Sequence, residues 1–110
     1  MNLSGYQKQV DDWFRSQDIL YWEPLSQFAR LAEETGEVGR ILNHKYGQKV
    51  KKPTEKADDL EDELGDVIFN ILCMANREGI DLDRAVDKVI HKAKTRDKDR
   101  DKRKPRENRA

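Results

Sequence analysis

The sequence contains one cysteine, no apolar run long enough to cross a bilayer, and no segment in which polar and apolar residues alternate. Because Cys73 is the only cysteine among 110 residues, no intrachain disulfide can form, and we expect it to be a small core residue. A membrane span requires about 20 consecutive apolar residues. The N-terminus also lacks the basic and apolar segments of a signal peptide. We therefore expect a helical, cytoplasmic protein with no membrane partner.

The composition is lean in apolar residues and rich in charge. Hydrophobic residues make up 35% of the chain and charged residues 40%, so one domain of this length has little apolar surface with which to build a core. A helical protein this polar often buries the rest of its apolar surface against another subunit. Composition alone therefore predicts self-association.

The net charge of zero conceals an uneven distribution of charge. From Lys94 to the C-terminus lie nine of the 22 basic residues but only four of the 22 acidic ones. The preceding part is acidic, which favours the binding of cations over nucleic acid. We predict a helical domain over residues 1–95 and a charged, partly disordered tail over residues 96–110. Nucleic acid is not an expected partner.

Capping residues, helix breakers and helical periodicity predict an all-α fold, a bundle of four helices. The predicted bounds are about Ser4 to Phe14 or Arg15, Pro24 to His44, Glu55 to Arg77 and Leu82 to Lys94. The expected N-caps are Ser4, Thr54 and Asp81, and Gly79 is expected to end the third helix.

Apolar residues at helical spacing form one stripe along each of the last three helices, and we expect these stripes to face the core. The stripe of the second helix is Leu25, Phe28, Leu31, Thr35, Val38, Ile41 and Leu42. The stripe of the third helix is Leu60, Leu64, Val67, Ile68, Ile71 and Ala75. The stripe of the fourth helix is Ala85, Val86, Val89 and Ile90.

Two pairs of carboxylates border these stripes on consecutive helices. Glu34 and Glu37 are three residues apart on the second helix, and Glu63 and Asp66 have the same spacing on the third, so each pair shares a face. The like charges repel, and a cation between the helices removes the repulsion. An all-oxygen site suits Mg²⁺ or Mn²⁺ better than Zn²⁺. A protein this charged has acidic helical faces without any metal, but two such pairs favour a metal site.

Gly36 and Gly65 lie inside the predicted helices beside these carboxylates. Glycine costs about 1 kcal/mol relative to alanine in a helix interior. Its use here indicates either a close approach of the two helices or room for a ligand.

The same segments resemble a known family. The stretch LAEETGEV over residues 31–38 and the stretch ELGDV over residues 63–67 are similar to the EExxE…ExxD signature of the MazG-like nucleotide pyrophosphohydrolases. The resemblance extends over roughly residues 5–100. It implies an all-α fold that assembles as a dimer or a dimer of dimers. It also implies hydrolysis of nucleoside triphosphates, often deoxy or non-standard ones, to the monophosphate and pyrophosphate.

Carried over by position, the resemblance assigns roles to five carboxylates. Glu34, Glu37, Glu63 and Asp66 would hold Mg²⁺, with Mn²⁺ as a substitute. Glu33 would orient or deprotonate the attacking water, directly or through a second metal ion. Because so acidic a site repels a triphosphate, we expect activity only when metal is present.

Five further residues are candidates for contacts with the nucleotide substrate. Lys45 and Lys49 lie between the two ligand helices and are candidates to meet the outer phosphates, with a solvated basic loop as the alternative. Asn70, one turn after Asp66, is a candidate contact to the sugar or base. Trp13 and Trp22 are candidates for stacking on the base, with a core role as the alternative.

Two other functions fit the same features. One is a phosphoribosyl-ATP pyrophosphohydrolase-like enzyme of the same fold, which product analysis would distinguish. The other is a non-catalytic helical interaction module whose basic tail binds nucleic acid, with a steep dependence on salt. The tail has no interleaved aromatic residues and no nucleic-acid fold signature, so the enzyme is favoured. The preferred base and sugar do not follow from the sequence.

Overall fold

The computed structural model describes residues 1–53 and 59–96, and in these ranges the regular elements are four helices and no strand. They are α1 (Leu3–Ser16), α2 (Pro24–Tyr46), α3 (Leu60–Glu78) and α4 (Leu82–Arg96). The predicted all-α class is confirmed. The predicted tail beyond Arg96 and the predicted cap Thr54 lie outside the described residues. The predicted start of the third helix at Glu55 was wrong, because α3 begins at Leu60 after Asp59, whose backbone is extended.

The ends of α2 and α3 follow local chemistry. Pro24 opens α2, where its missing N–H has no helical partner to lose. Asp59 caps α3 by accepting a 2.8 Å hydrogen bond from the backbone N of Glu61. Gly79 ends α3 with a φ of 70°, a left-handed conformation that favours glycine.

The N-terminus of α1 differs from the prediction that Ser4 is its cap. The cap is Asn2, whose Oδ1 accepts a 2.8 Å hydrogen bond from the backbone N of Gly5. Asp83 of α4 adds a cap from outside the helix, with Oδ1 3.0 Å from the N of Leu3 and Oδ2 3.3 Å from the N of Ser4. Asn2 and Asp83 thereby accept hydrogen bonds from the free N–H groups of the first turn. Ser4 is not a cap, because it lies within the helix.

Buried polar side chains join the helices. Helix α3 packs against α2 on one side and α1 on the other, and α4 packs on α1. Gln7 of α1 donates from Nε2 to Asn76 Oδ1 at 3.0 Å and to the carbonyl of Ile80 at 2.7 Å. Its Oε1 accepts from the backbone N of Leu82 at 3.0 Å. One amide therefore fixes α1 onto the turn between α3 and α4.

The core of the described chain is small and half polar. Its buried residues are Ile41, Leu72, Cys73 and Ala75, together with Gln7, Gln27, Glu34 and Asn70. On α2 the buried positions 27, 34 and 41 are seven apart, so they form one line along the helix that faces α3. The core role expected of Cys73 is confirmed.

The expected apolar stripes are only partly buried. Along α2, Leu31 and Val38 are half-buried while Leu25 and Phe28 are exposed, because the buried face is turned towards the polar line of positions 27, 34 and 41. The expected inward orientation of the α4 stripe was wrong for the single chain, since no residue of α4 is buried. The stripe residues that are exposed against prediction are Leu25, Phe28, Thr35, Leu42, Leu64, Ile68, Ile71, Val86, Val89 and Ile90.

Gly36 and Gly65 do not mark a close approach of helices. A Cβ atom built at either position meets no heavy atom within 4 Å. Both glycines are exposed, so a close approach of helices within the chain is not found there. The alternative, room for a ligand, stays a prediction. Within residues 1–53 and 59–96, no helix is both long and apolar enough to cross a membrane.

Candidate metal centre

Three carboxylates meet between α2 and α3. Glu34 is the middle residue of the buried line on α2, and Glu63 and Asp66 share a face of α3 because they are three residues apart. One oxygen from each of the three lies within 4.8 Å of the other two. The packing of two helices thus converts two separate acidic pairs into one three-carboxylate cluster.

Glu63 carries the electrostatic cost of this arrangement. The pKa of Glu63 is raised to about 7, first by a hydrogen bond between its carboxyl group and that of Glu34, then by burial and by the charges of Glu34, Asp66 and Glu37. The Oε2 atom of Glu63 is buried and has no hydrogen-bond partner among the described residues. Buried oxygens normally have a partner, and a cation held between the carboxylates would supply one.

The donor set fits a hard divalent cation. All three groups offer carboxylate oxygen, and a cation between them would offset their repulsion and satisfy the buried Glu63 oxygen. Mg²⁺ prefers an octahedral set of oxygens and keeps several positions for water and substrate phosphate. Three carboxylates leave such positions open.

Glu37, the fourth predicted ligand, makes a different contact. Its Oε2 pairs with Arg40, at 2.5 Å from Nη2 and 3.1 Å from Nε. This hydrogen bond lowers the pKa of Glu37. The side chain is 43% exposed, and its carboxylate is not one of the three that converge. Its role as a metal ligand stays a prediction that requires it to turn away from Arg40.

Glu33, the predicted catalytic residue, lies on the solvent side of α2. Its side chain is 67% exposed, and its Oε2 is 3.4 Å from Nη1 of Arg30. Arg30 also pairs with Glu34, at 2.7 Å between Nη2 and Oε1. Glu33 is therefore linked to the carboxylate cluster through a shared arginine, and its catalytic role stays a prediction.

A cavity of about 380 Å³ opens beside the carboxylates. This aromatic cavity is lined by Trp13, Phe14, Ile19, Leu20, Trp22, Gln27, Arg30, Glu34, Asp66, Phe69, Asn70 and Cys73. Its size and its apolar walls with a few polar groups are typical of small-molecule sites. Three of the predicted substrate contacts, Asn70, Trp13 and Trp22, lie in its wall, next to two of the predicted metal ligands.

The wall of the cavity is built by an aromatic cluster. Phe14 stacks on Tyr21 with ring centroids 4.6 Å apart. The rings of Phe14 and Trp13 are in a T-shaped contact with centroids 5.3 Å apart. The Tyr21 hydroxyl donates to Asp11 at 2.8 Å and accepts from Asn76 at 2.9 Å. Burial raises the pKa of Tyr21 to about 12, so this hydroxyl stays protonated. Tyr21 thereby anchors the α1–α2 connection and holds its neighbour Trp22 at the cavity.

The two predicted lysines lie away from the cavity. Lys45 is in the last turn of α2, with Nζ 5.3 Å from the ring centroid of Tyr46, and Lys49 is exposed in the connection that follows. Lys45 is eleven residues beyond Glu34, roughly 16 Å along the axis at 1.5 Å per residue. Neither lysine lines the cavity.

Seven residues of the cavity were not among the predicted site residues: Phe14, Ile19, Leu20, Gln27, Arg30, Phe69 and Cys73. For two of them a signal was present. Gln27 is seven residues before Glu34 and Arg30 is four before it, so both share its face of the helix. Because the buried face of α2 was predicted from its apolar residues alone, the polar residues at positions 27 and 30 were not assigned to it.

Comparison with known proteins points to one family. The family model described as the MazG nucleotide pyrophosphohydrolase domain matches residues 23–100. The protein YpjD of Bacillus subtilis strain 168 is 48% identical over 98 residues, which cover 89% of this chain and 88% of YpjD. The family model covers both α2 and α3, which carry the three converging carboxylates.

Two crystal structures are similar to this chain in fold as well as sequence. One is that of YpjD from Bacillus subtilis, with a TM-score of 0.77 and 42% identity over 88% of this chain and 97% of that one. The other is the Bacillus-conserved MazG protein, a nucleotide pyrophosphohydrolase, with a TM-score of 0.72 and 42% identity over 90% of this chain and 96% of that one. Both match the four-helix arrangement over most of its length.

Proposed function

We propose that this chain, which belongs to the MazG nucleotide pyrophosphohydrolase family, converts nucleoside or deoxynucleoside triphosphates to the monophosphate and pyrophosphate, with Mg²⁺ as cofactor and Mn²⁺ as a substitute. Family membership makes it an enzyme, a nucleotide pyrophosphohydrolase. The observation that supports the finer proposal is the convergence of Glu34, Glu63 and Asp66 at the edge of the aromatic cavity. A triphosphate bound with its base in that cavity would bring its phosphates to the carboxylates.

The proposed metal residues are Glu34, Glu63 and Asp66, with Glu37 as a fourth once it leaves Arg40. A divalent cation held there supplies charge neutralisation at the phosphate oxygens. The ligands come from two helices, so the metal affinity depends on how α2 and α3 pack. Cys73 is not a convincing covalent nucleophile, because it is buried and burial raises its pKa to about 11.

The remaining groups bind the nucleotide and handle the proton. Trp13 and Trp22 would hold the base by stacking, and Asn70 would contact the sugar or base. Water attacks the α-phosphorus, forms one oxygen–phosphorus bond, and expels pyrophosphate as the bond to the bridging oxygen breaks. Glu33 is proposed to orient this water and accept its proton, after a change of its contact with Arg30. Lys45 and Lys49 contact the outer phosphates only if the connection after α2 folds back towards the cavity.

A homo-oligomer, a dimer or a dimer of dimers, is the proposed assembly. The described chain leaves large apolar side chains exposed on α2, α3 and α4, including Phe28 at 60% and Val89 at 63%. Exposed apolar faces of this kind commonly mark subunit contacts. Sedimentation equilibrium should give a mass of two or four chains, and Val89→Glu should lower it if α4 contributes. A single-chain mass at all concentrations would contradict the proposal.

The function is tested by pyrophosphate release from a panel of ordinary and modified nucleoside triphosphates, with Mg²⁺, with Mn²⁺ and with EDTA. The panel includes phosphoribosyl-ATP, the substrate of the rival reaction. We expect metal-dependent release with the monophosphate as co-product, reduced about a hundredfold or more in Glu63→Gln and Asp66→Asn. Glu61→Gln, which removes an exposed charge from the same helix, is the matched control and should retain activity. Release that persists in EDTA, or in both variants, would contradict the proposal.

A further inference from the structure

We propose that Arg30 binds the triphosphate of the substrate, and that it leaves its ion pair with Glu34 to do so. The inference rests on the proposed function, because it names a residue that receives the phosphates at the same site. It gives the site a positive group that neither predicted lysine provides.

Arg30 is placed where the phosphates would lie. It precedes Glu34 by one turn on α2, and both side chains line the aromatic cavity together with Asp66. Among the described residues that line the cavity, Arg30 is the one basic residue. A nucleotide whose base occupies the aromatic part must extend its phosphates towards Glu34 and Asp66, and therefore past Arg30.

The contacts of Arg30 leave it able to bind a second group. Its Nη2 is 2.7 Å from Oε1 of Glu34, and its Nη1 is 3.4 Å from Oε2 of Glu33. Both partners belong to α2, the helix that carries Arg30. A guanidinium group carries five N–H donors in a plane, and two carboxylates use only part of that capacity. The Arg30 side chain is 47% exposed whereas that of Glu34 is 6% exposed. The positive end of this ion pair is therefore its more exposed end, and Arg30 borders the cavity.

Charge explains why a basic residue is needed there. Glu34 and Asp66 line the cavity and would repel the phosphates, and a divalent cation held by these carboxylates would offset part of that repulsion. Arginine matches phosphate geometry with two parallel N–H donors, which gives orientation as well as attraction. Arg30 can thus hold the outer phosphates at a fixed angle to the carboxylate cluster.

The ion pair with Glu34 also predicts an exchange of partners. A cation bound to the Glu34 oxygens repels the guanidinium group and competes for the same carboxylate. Arg30 would then be free to turn from Glu34 to a phosphate oxygen of the nucleotide. In the absence of metal it balances part of the negative charge of the cluster, so removal of Arg30 should not weaken metal binding.

The test compares Arg30→Ala and Arg30→Lys with the wild type and with the control Arg15→Ala. Arg15 pairs with Asp11 on α1 at 2.8 Å and lies outside the cavity. Three quantities are measured: KM and kcat for the best nucleotide, Mn²⁺ affinity by electron paramagnetic resonance without nucleotide, and binding of a non-hydrolysable α,β-imido triphosphate with Mn²⁺. The second measurement reports on the metal site independently of turnover.

We expect Arg30→Ala to raise KM and to weaken analogue binding by about ten- to a hundredfold, the effect of losing hydrogen bonds to a charged group. Its Mn²⁺ affinity should be unchanged or a few times tighter. Arg30→Lys should lie between the two, and Arg15→Ala should match the wild type. This pattern separates a phosphate contact from a residue that only positions Glu34.

Two results would overturn the inference while the proposed function stands. One is an active wild type whose KM and analogue binding are unchanged in Arg30→Ala. The other is a parallel loss of Mn²⁺ affinity and nucleotide affinity, which would show that Arg30 serves the metal site. A wild type that binds Mn²⁺ and releases no pyrophosphate from any nucleotide would instead overturn the proposed function, and this inference with it.

Discussion

Gln27 of α2 donates a 2.6 Å hydrogen bond from Nε2 to Oδ1 of Asn70 on α3, and both side chains are buried. Asn70 in turn donates from Nδ2 to the carbonyl of Asp66 at 2.8 Å. Gln27 lies two turns before Glu34 on the same face of α2. The amide pair therefore fixes the position of α2 relative to α3 next to the three carboxylates.

Breaking this amide pair on one side should destabilise the fold. Asn70→Leu leaves the Gln27 amide buried without its partner, at a cost of about 1–3 kcal/mol. Urea unfolding at neutral pH measures the change in the free energy of unfolding. The double variant Gln27→Leu with Asn70→Leu should recover much of the loss, because no polar group is then left unpaired. A double variant as unstable as the sum of two single ones would contradict a direct coupling.

The metal-free protein should lose stability as pH rises towards neutral. The pKa of Glu63 is raised from 4.5 to about 7 in the folded chain, first by the hydrogen bond with Glu34. A raised carboxyl pKa means that the folded state binds the proton more tightly, so the stabilisation is complete below about pH 4.5 and is lost as pH rises through about 7. The melting temperature in EDTA should fall by a few degrees over this range.

Glu63→Gln should remove most of that pH dependence, because glutamine does not ionise. The matched variant Glu61→Gln should keep it. Added Mg²⁺ should raise the melting temperature of the wild type above pH 7 and leave that of Glu63→Gln unchanged. The assignment would be contradicted if the melting temperature of the wild type in EDTA rose from pH 5 to pH 7 and Glu63→Gln abolished that rise.

Asp83 should stabilise α1 from a distance of about eighty positions in the sequence. A side-chain hydrogen bond with Ser4, together with the backbone N–H groups of Ser4 and Leu3, lowers the pKa of Asp83 below its ordinary 3.8. The contribution is therefore present above about pH 4 and is lost as pH falls through the lowered pKa. Asp83→Ala should reduce the melting temperature at pH 7, while Asp87→Ala on the same helix should change it little. Equal melting temperatures for Asp83→Ala and the wild type would contradict the capping role.

Gly36→Ala should stabilise the protein. A Cβ at this position meets nothing within 4 Å, and alanine is favoured over glycine in a helix interior by about 1 kcal/mol. Denaturant unfolding measures the gain, and sedimentation of the same variant monitors assembly. A loss of stability together with a smaller assembly mass would mean that another chain approaches Gly36 closely.

The fold and the acidic cluster were readable from local chemistry. Pro24 and Gly79 mark helix ends through backbone constraints that act regardless of the rest of the chain. The spacing of Glu63 and Asp66 puts both on one face of α3 wherever that helix packs. Such features depend on a few neighbouring residues, so the sequence predicts them well.

The buried face of α2 was not readable in the same way. Hydrophobic periodicity selected Leu25 and Phe28, yet the line that faces α3 contains Gln27 and Glu34. Gln27 is tolerated there because its partner Asn70 comes from α3, 43 residues away in the sequence. Glu34 likewise meets Glu63, 29 residues away. Arg30 was missed for a similar reason, because the cavity that it borders is formed by residues from several parts of the chain.

The most direct test of water attack at the α-phosphorus is hydrolysis of an accepted nucleotide in water enriched in oxygen-18. The wild-type protein with Mg²⁺ should place the label in the nucleoside monophosphate and none in the pyrophosphate, as mass spectrometry of both products would record. Label in the pyrophosphate instead would mean attack at the β-phosphorus, and would contradict the reaction proposed for the Glu34, Glu63 and Asp66 site.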